Sequence, residues 1–172
     1  MKMLAINPMS LKKRMIEFLF DYLFILAYLA LLFLGSMLFY IIFFNGIPEF
    51  TEIQSQCLAF FTSVLPITLL FTFLDYTNNG SFGKAKAGLQ LVYKKKTVQA
   101  SLIRNTIKFL PWQIGHMGTI HGFYSEFDFL SFILSFLATL LAVALLVMMV
   151  FRKDKRHLGD LIAHTQVQLK GD

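Results

Sequence analysis

The chain has 172 residues, 56% hydrophobic with 20 Phe, and a formal net charge of +6. That apolar share lies well above the roughly 45–50% of a soluble domain, and the single cysteine, Cys57, excludes an internal disulfide. The positive charge would point to nucleic acid only if the basic residues shared a soluble domain. All 16 Lys and Arg instead fall within 2–14, 84–108, 152–156 and at position 170, with apolar runs between them, so nucleic acid is not an expected partner.

The first run, about 15–44, is introduced by Lys12, Lys13 and Arg14. It is longer than the apolar stretch of about 7–15 residues in a signal peptide, and no small-residue cleavage site follows, so it is expected to be retained as a span. Two acids sit inside it. Arg14, Glu17 and Asp21 are spaced i, i+3 and i+7, which is one helical face, and Tyr28 and Gly35 continue that stripe. Asp21 lies about 10 Å deeper than Arg14, where a carboxylate is costly unless it faces protein or water. Arg14 leans toward the helix N-terminus and so meets Glu17 rather than Asp21. Asp21 then needs a cation from another helix, or a proton. Lys108, one turn beyond Arg104 on the same face, is the candidate cation.

Residues 45–56 carry Glu49 and Glu52 but no Lys or Arg, which predicts an outer loop by the positive-inside rule. A second run, about 57–75, returns to the basic segment 84–108. There "GSFGKAKAGLQLVYKKK" contains Gly-x-x-Gly-Lys. A phosphate-binding loop requires Gly five residues before Gly83 and Ser or Thr after Lys84. Asn78 and Ala85 stand there instead, so nucleotide binding is not expected. The better reading is a turn at Asn79-Gly80, a strand over 88–93 and a basic turn. The tail alternates from Gln166 to Leu169, as a strand does, and "GLQLVY" is its natural partner.

The third run, about 104–123, is weak: Arg104 and Lys108 enter it, Pro111 interrupts it, and Gly115, Gly118 and Gly122 loosen it. The fourth, 129–151, has no charge and is followed by "RKDKR" at 152–156. Placing both 84–108 and 152–156 on the inner side requires an even number of crossings between them. Residues 104–123 are therefore predicted to span, with Glu126 and Asp128 outside. The alternative lays 104–123 on the inner surface as an amphipathic helix, which makes 129–151 re-enter or strands "RKDKR" outside. The predicted fold is an all-α membrane protein: a four-helix transmembrane bundle, one domain over 1–172, both termini inside, with a small cytoplasmic β element.

Catalysis finds little support. His157 and His164 flank Asp160 without a Ser or Cys nucleophile nearby and read as surface residues. His116 and His121, five apart, do not share a face as metal ligands would at i, i+4. With Glu126 and Asp128 they form at most an outer cation funnel. Neither an enzyme nor a cofactor is expected. Arg14 and Asp160, both at the inner surface, are predicted to pair and pin the tail to the bundle.

Taken in order, Arg14 with Asp21 seven later, "GSFGKAKAGLQLV", "RNTIKFL" and "KRHLGDLIAHTQV" resemble the RDD family of small bacterial membrane proteins, over about 10–169. That family is named for one Arg and two Asp, which correspond here to Arg14, Asp21 and Asp160. Its loop Gly-Lys corresponds to Gly83 and Lys84, and its late threonine to Thr165. Two positions depart from its pattern: Glu17 stands where a small residue is usual, and Gly159 where His is common. The resemblance implies a multi-pass protein of the bacterial cytoplasmic membrane that transports a small ion or solute, alkali-cation/proton exchange being the most concrete form. Four helices alone hardly enclose a path, so a homo-oligomer or a partner membrane protein is expected. The alternative is a non-transporting adaptor whose basic inner face binds anionic lipid or a partner protein.

Overall fold

The computed structural model describes residues 4–171 and is mostly helical. Helix α1 (Leu11–Phe44) begins where the Ser10 hydroxyl accepts the Lys13 N–H, and ends at Asn45 in the left-handed conformation. At 1.5 Å per residue its 34 residues run about 51 Å. The second long helix has three segments: α2 (Glu52–Ala59), a π-helical turn (Phe60–Val64) and α3 (Leu65–Asn78). It starts five residues before the predicted span, because Thr51 and Gln54 form a reciprocal capping box that draws Glu52 into the helix. The π turn is the widened kind that a helix tolerates in single turns. It leaves the Thr62 carbonyl to accept the Tyr28 hydroxyl of α1. Asn79, left-handed, terminates α3.

A short helix α4 (Phe82–Lys86) follows, capped by Ser81, and leads into strand β1 (Leu89–Tyr93). Helix α5 (Val98–Tyr124) is continuous through Pro111; the proline lacks an N–H, so the Ile107 carbonyl loses its intrahelical donor. Asp128 caps α6 (Phe129–Phe151) by accepting the Ser131 N–H. Beyond it come α7 (Leu158–Ile162) and strand β2 (Thr165–Leu169). The strands pair antiparallel with Leu89 opposite Leu169 and Tyr93 opposite Thr165, the pairing that the alternation of the tail predicts. Asn7 ties the N-terminal segment to this sheet by donating to the Val167 carbonyl.

Two apolar cores result. One lies under the two-stranded sheet, with Met9, Ala87, Leu89, Leu91 and Val167. The other joins α1, α3 and α5 through Phe24, Ile67, Phe71, Phe109 and Trp112. The most extensive helix contact is α5 on α6, then α3 on α5. Leu31, Ile42 and Phe43 of α1 and Phe132 and Phe136 of α6 point outward, each more than 60% exposed, which in hydrocarbon is the favourable direction. Among the described residues, three helices are long and apolar enough to cross a membrane: Leu11–Phe44, Glu52–Asn78 and Phe129–Phe151. Helix α5, with 27 residues, is within the same range of lengths but more polar, and the predicted count of four spans is not established by length and composition.

Candidate functional site

Charged side chains converge on the first half of α5. The Arg104 guanidinium is 98% buried. Its Nη1 lies 2.7 Å from Asp75 Oδ2 and its Nε 2.7 Å from Asp160 Oδ1, so one planar fork joins α3 to α7. Asn105 Nδ2 adds a donor to Asp75 at 3.0 Å, and the Thr165 hydroxyl donates to Asp160 at 2.9 Å. On the other side of Asp75 stands Lys84, fully buried, with Nζ 3.1 Å from Asp75 Oδ1 and 3.4 Å from Glu17 Oε1. Glu17 in turn takes Arg14 Nη1 at 2.7 Å, and Arg14 Nη2 donates to the Lys155 carbonyl.

Asp21 closes the set. Its carboxylate accepts from Lys108 Nζ at 3.2 Å, from the Ser81 hydroxyl at 2.9 Å and from the Gly83 N–H at 2.9 Å. Three donors, from α5, from the cap of α4 and from α4 itself, thus surround the one carboxylate. Lys108 Nζ also sits 4.5 Å from the centre of the Phe71 ring and 5.1 Å from that of Phe109. Four cations (Arg14, Lys84, Arg104, Lys108) thus meet four carboxylates (Glu17, Asp21, Asp75, Asp160) in one connected, charge-balanced network. Burying any one of these ions alone costs several kcal/mol, a penalty offset only when every partner is present.

The loop motif explains itself here. A Cβ on Gly83 would stand 2.1 Å from the Glu17 carbonyl oxygen and 2.6 Å from Asp21 Oδ1, so only glycine lets α4 approach α1 closely enough for Lys84 to reach Glu17 and Asp75. Gly159 does the same for α7, where a Cβ would stand 2.8 Å from the Arg104 carbonyl oxygen.

All nine residues singled out from the sequence (Arg14, Glu17, Asp21, Gly83, Lys84, Arg104, Lys108, Asp160 and Thr165) lie in this network. Lys108 meets Asp21 as its depth implies. The expected Arg14–Asp160 pair does not form: Arg104 holds Asp160, while Arg14 is turned to Glu17. The chain reverses after α6 and sends α7 beneath α5, which brings Asp160 to Arg104 first. Sequence reasoning missed Asp75, Asn105 and Ser81. A lone acid in the last turn of an apolar run was the available signal for Asp75.

His157 also departs from expectation, being buried rather than a surface residue. Its Nδ1 accepts the Gly159 N–H as the cap of α7, which leaves the proton on Nε2, 3.2 Å from Asp160 Oδ2 but without an aligned hydrogen bond. That proximity favours the imidazolium, yet burial, aided by Arg104, Arg14 and Lys108, pushes the His157 pKa down to about 4. Burial opposes ionisation of Asp160 too, but Arg104 and then His157 outweigh it and hold the carboxyl well below its usual range. The unfolded chain therefore binds the extra His157 proton first. Stability from a neutral His157 is complete above the unfolded value of about 6.5 and is lost as pH falls toward about 4. The Asp160 contribution persists through that window and declines only below it. Thermal melting in detergent is expected to lose on the order of 1–3 kcal/mol from pH 7 to pH 4.5. His157→Asn, which keeps the cap, is expected to flatten this slope; an unchanged slope would assign it to other groups.

At the far end of α5, His121 Nδ1 lies 2.8 Å from Glu52 and Nε2 3.3 Å from the Asp128 carboxylate. The expected funnel is thus differently built: Glu52 takes the place of Glu126, and His116 is a turn and more away. Gln56 Nε2 donates to the Met117 carbonyl, and the buried atoms Gln56 Oε1, Gln113 Oε1 and His116 Nε2 have no hydrogen-bond partner. Among the described residues no cluster of three or more His, Cys, Asp or Glu is arranged to hold a metal ion.

The family model described as the RDD family matches residues 8–164. No curated protein and no solved structure gives a significant match. The family match takes in α1 to α7 and every charged member of the network, and with three helices able to cross a bilayer, the chain is a multi-pass membrane protein that belongs to the RDD family.

Proposed function

We propose that this protein is a small carrier that couples proton movement to the passage of an ion or solute, with α5 as a fourth span. The observation that supports it is a set of polar side chains spaced at intervals along the axis of α5, on more than one of its faces. Arg104, Asn105 and Lys108 stand at one end, Gln113 and His116 in the middle, and His121 at the other end against Glu52 and Asp128. The α5–α6 turn occupies only residues 125–128, and the two helices pack along their lengths. If α6 crosses, its antiparallel neighbour crosses with it. The basic segments 84–108 and 152–156 then share the inner side with both termini, in keeping with the positive-inside rule, in the cytoplasmic membrane of a bacterium.

Proton exchange between these groups requires water around and between them. Lys108 to His116 is about 12 Å along the axis and His116 to His121 about 8 Å, beyond direct hydrogen bonding. The unpartnered Gln113, His116 and Gln56 atoms are what such waters would satisfy. An alkali cation is the most concrete exchanged species, and a homo-oligomer or a partner membrane protein would complete the path that one small bundle leaves open. The second reading, a non-transporting adaptor, draws on the full pairing of the inner carboxylates, which leaves none vacant for a cation.

Proteoliposomes of the purified protein with an internal pH dye decide between them. A sodium or potassium gradient is expected to drive a pH change that His116→Leu abolishes. A pH change no larger than in empty vesicles would end the carrier reading.

A further inference from the structure

A cavity of about 620 Å³ opens beside the inner half of α1, between it and the α5–α6 pair. Helix α1 packs on α4 and scarcely touches α6, so the cavity is a lateral cleft. The rim residues Phe18, Tyr22 and Val143 are half exposed. The long wall is apolar and belongs mainly to α6: Ala138, Ala142, Leu146 and Met149, facing Trp112 of α5. From Met149 to Ala138 it runs about 16 Å, close to one leaflet of a hydrocarbon core about 30 Å thick.

The floor is polar and rich in donors. Arg14, Lys108 and His157 contribute to it. Arg14 Nε–H and His157 Nε2–H are both buried and make no aligned hydrogen bond, although Asp160 Oδ2 lies 3.2 Å from His157 Nε2; the His157 proton is on Nε2 because Nδ1 accepts from Gly159. Lys108 is the network cation with an exposed side chain, at 24%. Glu17 also borders the cleft, but its oxygens are turned to Arg14 and Lys84. A floor of spare N–H donors beneath an apolar slot matches an amphiphile with an anionic head. The level fits as well: Arg14 is in the first turn of α1 and His157 lies six residues beyond α6, where headgroups sit. Lys12, Lys13 and Lys153 lie nearby in sequence at the same level.

We infer that the cleft is a binding site for one anionic phospholipid, its phosphate held by Lys108, Arg14 and His157 and one acyl chain laid along α6 from Met149 to Ala138. The phosphate reaches Lys108 Nζ first, and a small rotation of the other two side chains brings Arg14 Nε–H and His157 Nε2–H onto its oxygens. Charge-assisted bonds of this kind are the strong ones. The site needs no transport and stands independently of the carrier reading.

The test uses full-length protein stripped of lipid in detergent, then titrated with phosphatidylglycerol, phosphatidylcholine or inorganic phosphate, and read by native mass spectrometry and thermal melting. Phosphatidylglycerol is expected to bind about tenfold more tightly than phosphatidylcholine, which is about 1.4 kcal/mol, and to raise the melting temperature. Inorganic phosphate is expected to do neither. His157→Asn keeps the α7 cap and removes one donor, and Ala142→Phe fills the slot from its exposed side, away from the ion network. Each is expected to weaken phosphatidylglycerol binding about tenfold, and Ala142→Phe to leave the lipid-free melting temperature unchanged. If His157→Asn does not fold, Ala142→Phe alone carries the comparison. Equal binding of the two lipids, or equal stabilisation by inorganic phosphate, overturns the proposal. So does efficient copy-to-copy crosslinking through Ala142→Cys, in a chain with Cys57→Ser, that added phosphatidylglycerol does not reduce; the cleft would then belong to a second copy. No flux enters these readouts, so a protein that transports nothing can still pass them, and one that transports can fail them.

Discussion

Arg104→Ala is expected to be the most damaging single substitution in the chain, and to act on folding rather than on any one activity. The guanidinium pairs with both Asp75 and Asp160, and both carboxylates are fully buried. Its removal leaves Asp75 to Lys84 and Asn105, and Asp160 to Thr165 and a neutral His157. Removing one partner from a buried ion network costs about 3–5 kcal/mol. For a chain of this size each kcal/mol moves the melting temperature by roughly 2–4 °C, so a drop on the order of 10 °C in detergent is expected. Arg104→Lys keeps the charge but replaces a planar fork with a single ammonium, and is expected to fall between the two. A second readout locates the damage: α7 and β2 are held to the bundle through Asp160, so limited proteolysis is expected to cut first after residue 156. A variant that melts within 2 °C of the parent chain, less than 1 kcal/mol on the same scale, with an equally resistant tail, would show that the network is not what joins α7 and the sheet to the helices.

How much of this was legible follows from how far each contact reaches along the chain. Arg14, Glu17 and Asp21 were readable because a helix converts spacing into a face, with no tertiary information. The β1–β2 pair was readable because alternation marks both strands and only one partner was on offer. Lys108 followed from depth: an acid two turns into one span needs a cation at the same level of another. Depth alone, however, does not choose among cations, and that is why Asp160 was assigned to Arg14 when Arg104 holds it. The decisive element is α7, five residues long and too short for any periodicity to announce. The same holds for α4, whose approach to α1 depends on the missing Cβ of Gly83. Asp75 was overlooked because an acid at the end of an apolar run reads as the end of the run. Its partners lie nine and 29 residues later and meet it only once the chain has turned twice. His157 beside "RKDKR" has the sequence context of a surface residue. Capping α7 draws it inward, which no local pattern encodes.

Asp21→Asn is the substitution on which the functional reading turns. The carboxylate serves three donors, whereas an amide has one oxygen to offer and two N–H groups of its own, so at least one donor is left facing another. Lys108 loses its counter-ion and keeps its apolar surroundings of Phe71 and Phe109. About 3–5 kcal/mol is the usual cost of orphaning a fully buried charge. Lys108 is a quarter exposed to the cleft, so roughly 2 kcal/mol is expected here after discounting for that exposure. Replacing both members of such a pair by neutral groups avoids the orphan, so Lys108→Met added to Asp21→Asn is expected to recover most of the lost stability. The double variant then separates structure from function. It is folded, it has no ionisable group at either position, and a proton that moves by way of Asp21 has nowhere to bind. If the carrier reading holds through this pair, vesicles of the double variant show no cation-driven pH change although the protein melts near the parent temperature. If they show the parent rate, Asp21 is a structural anchor of α4 and the coupling, where present, runs through other groups on α5. If neither the parent chain nor the double variant moves protons, the paired carboxylates are joinery between helices and sheet, and the adaptor reading accounts for a network in which every charge is already met.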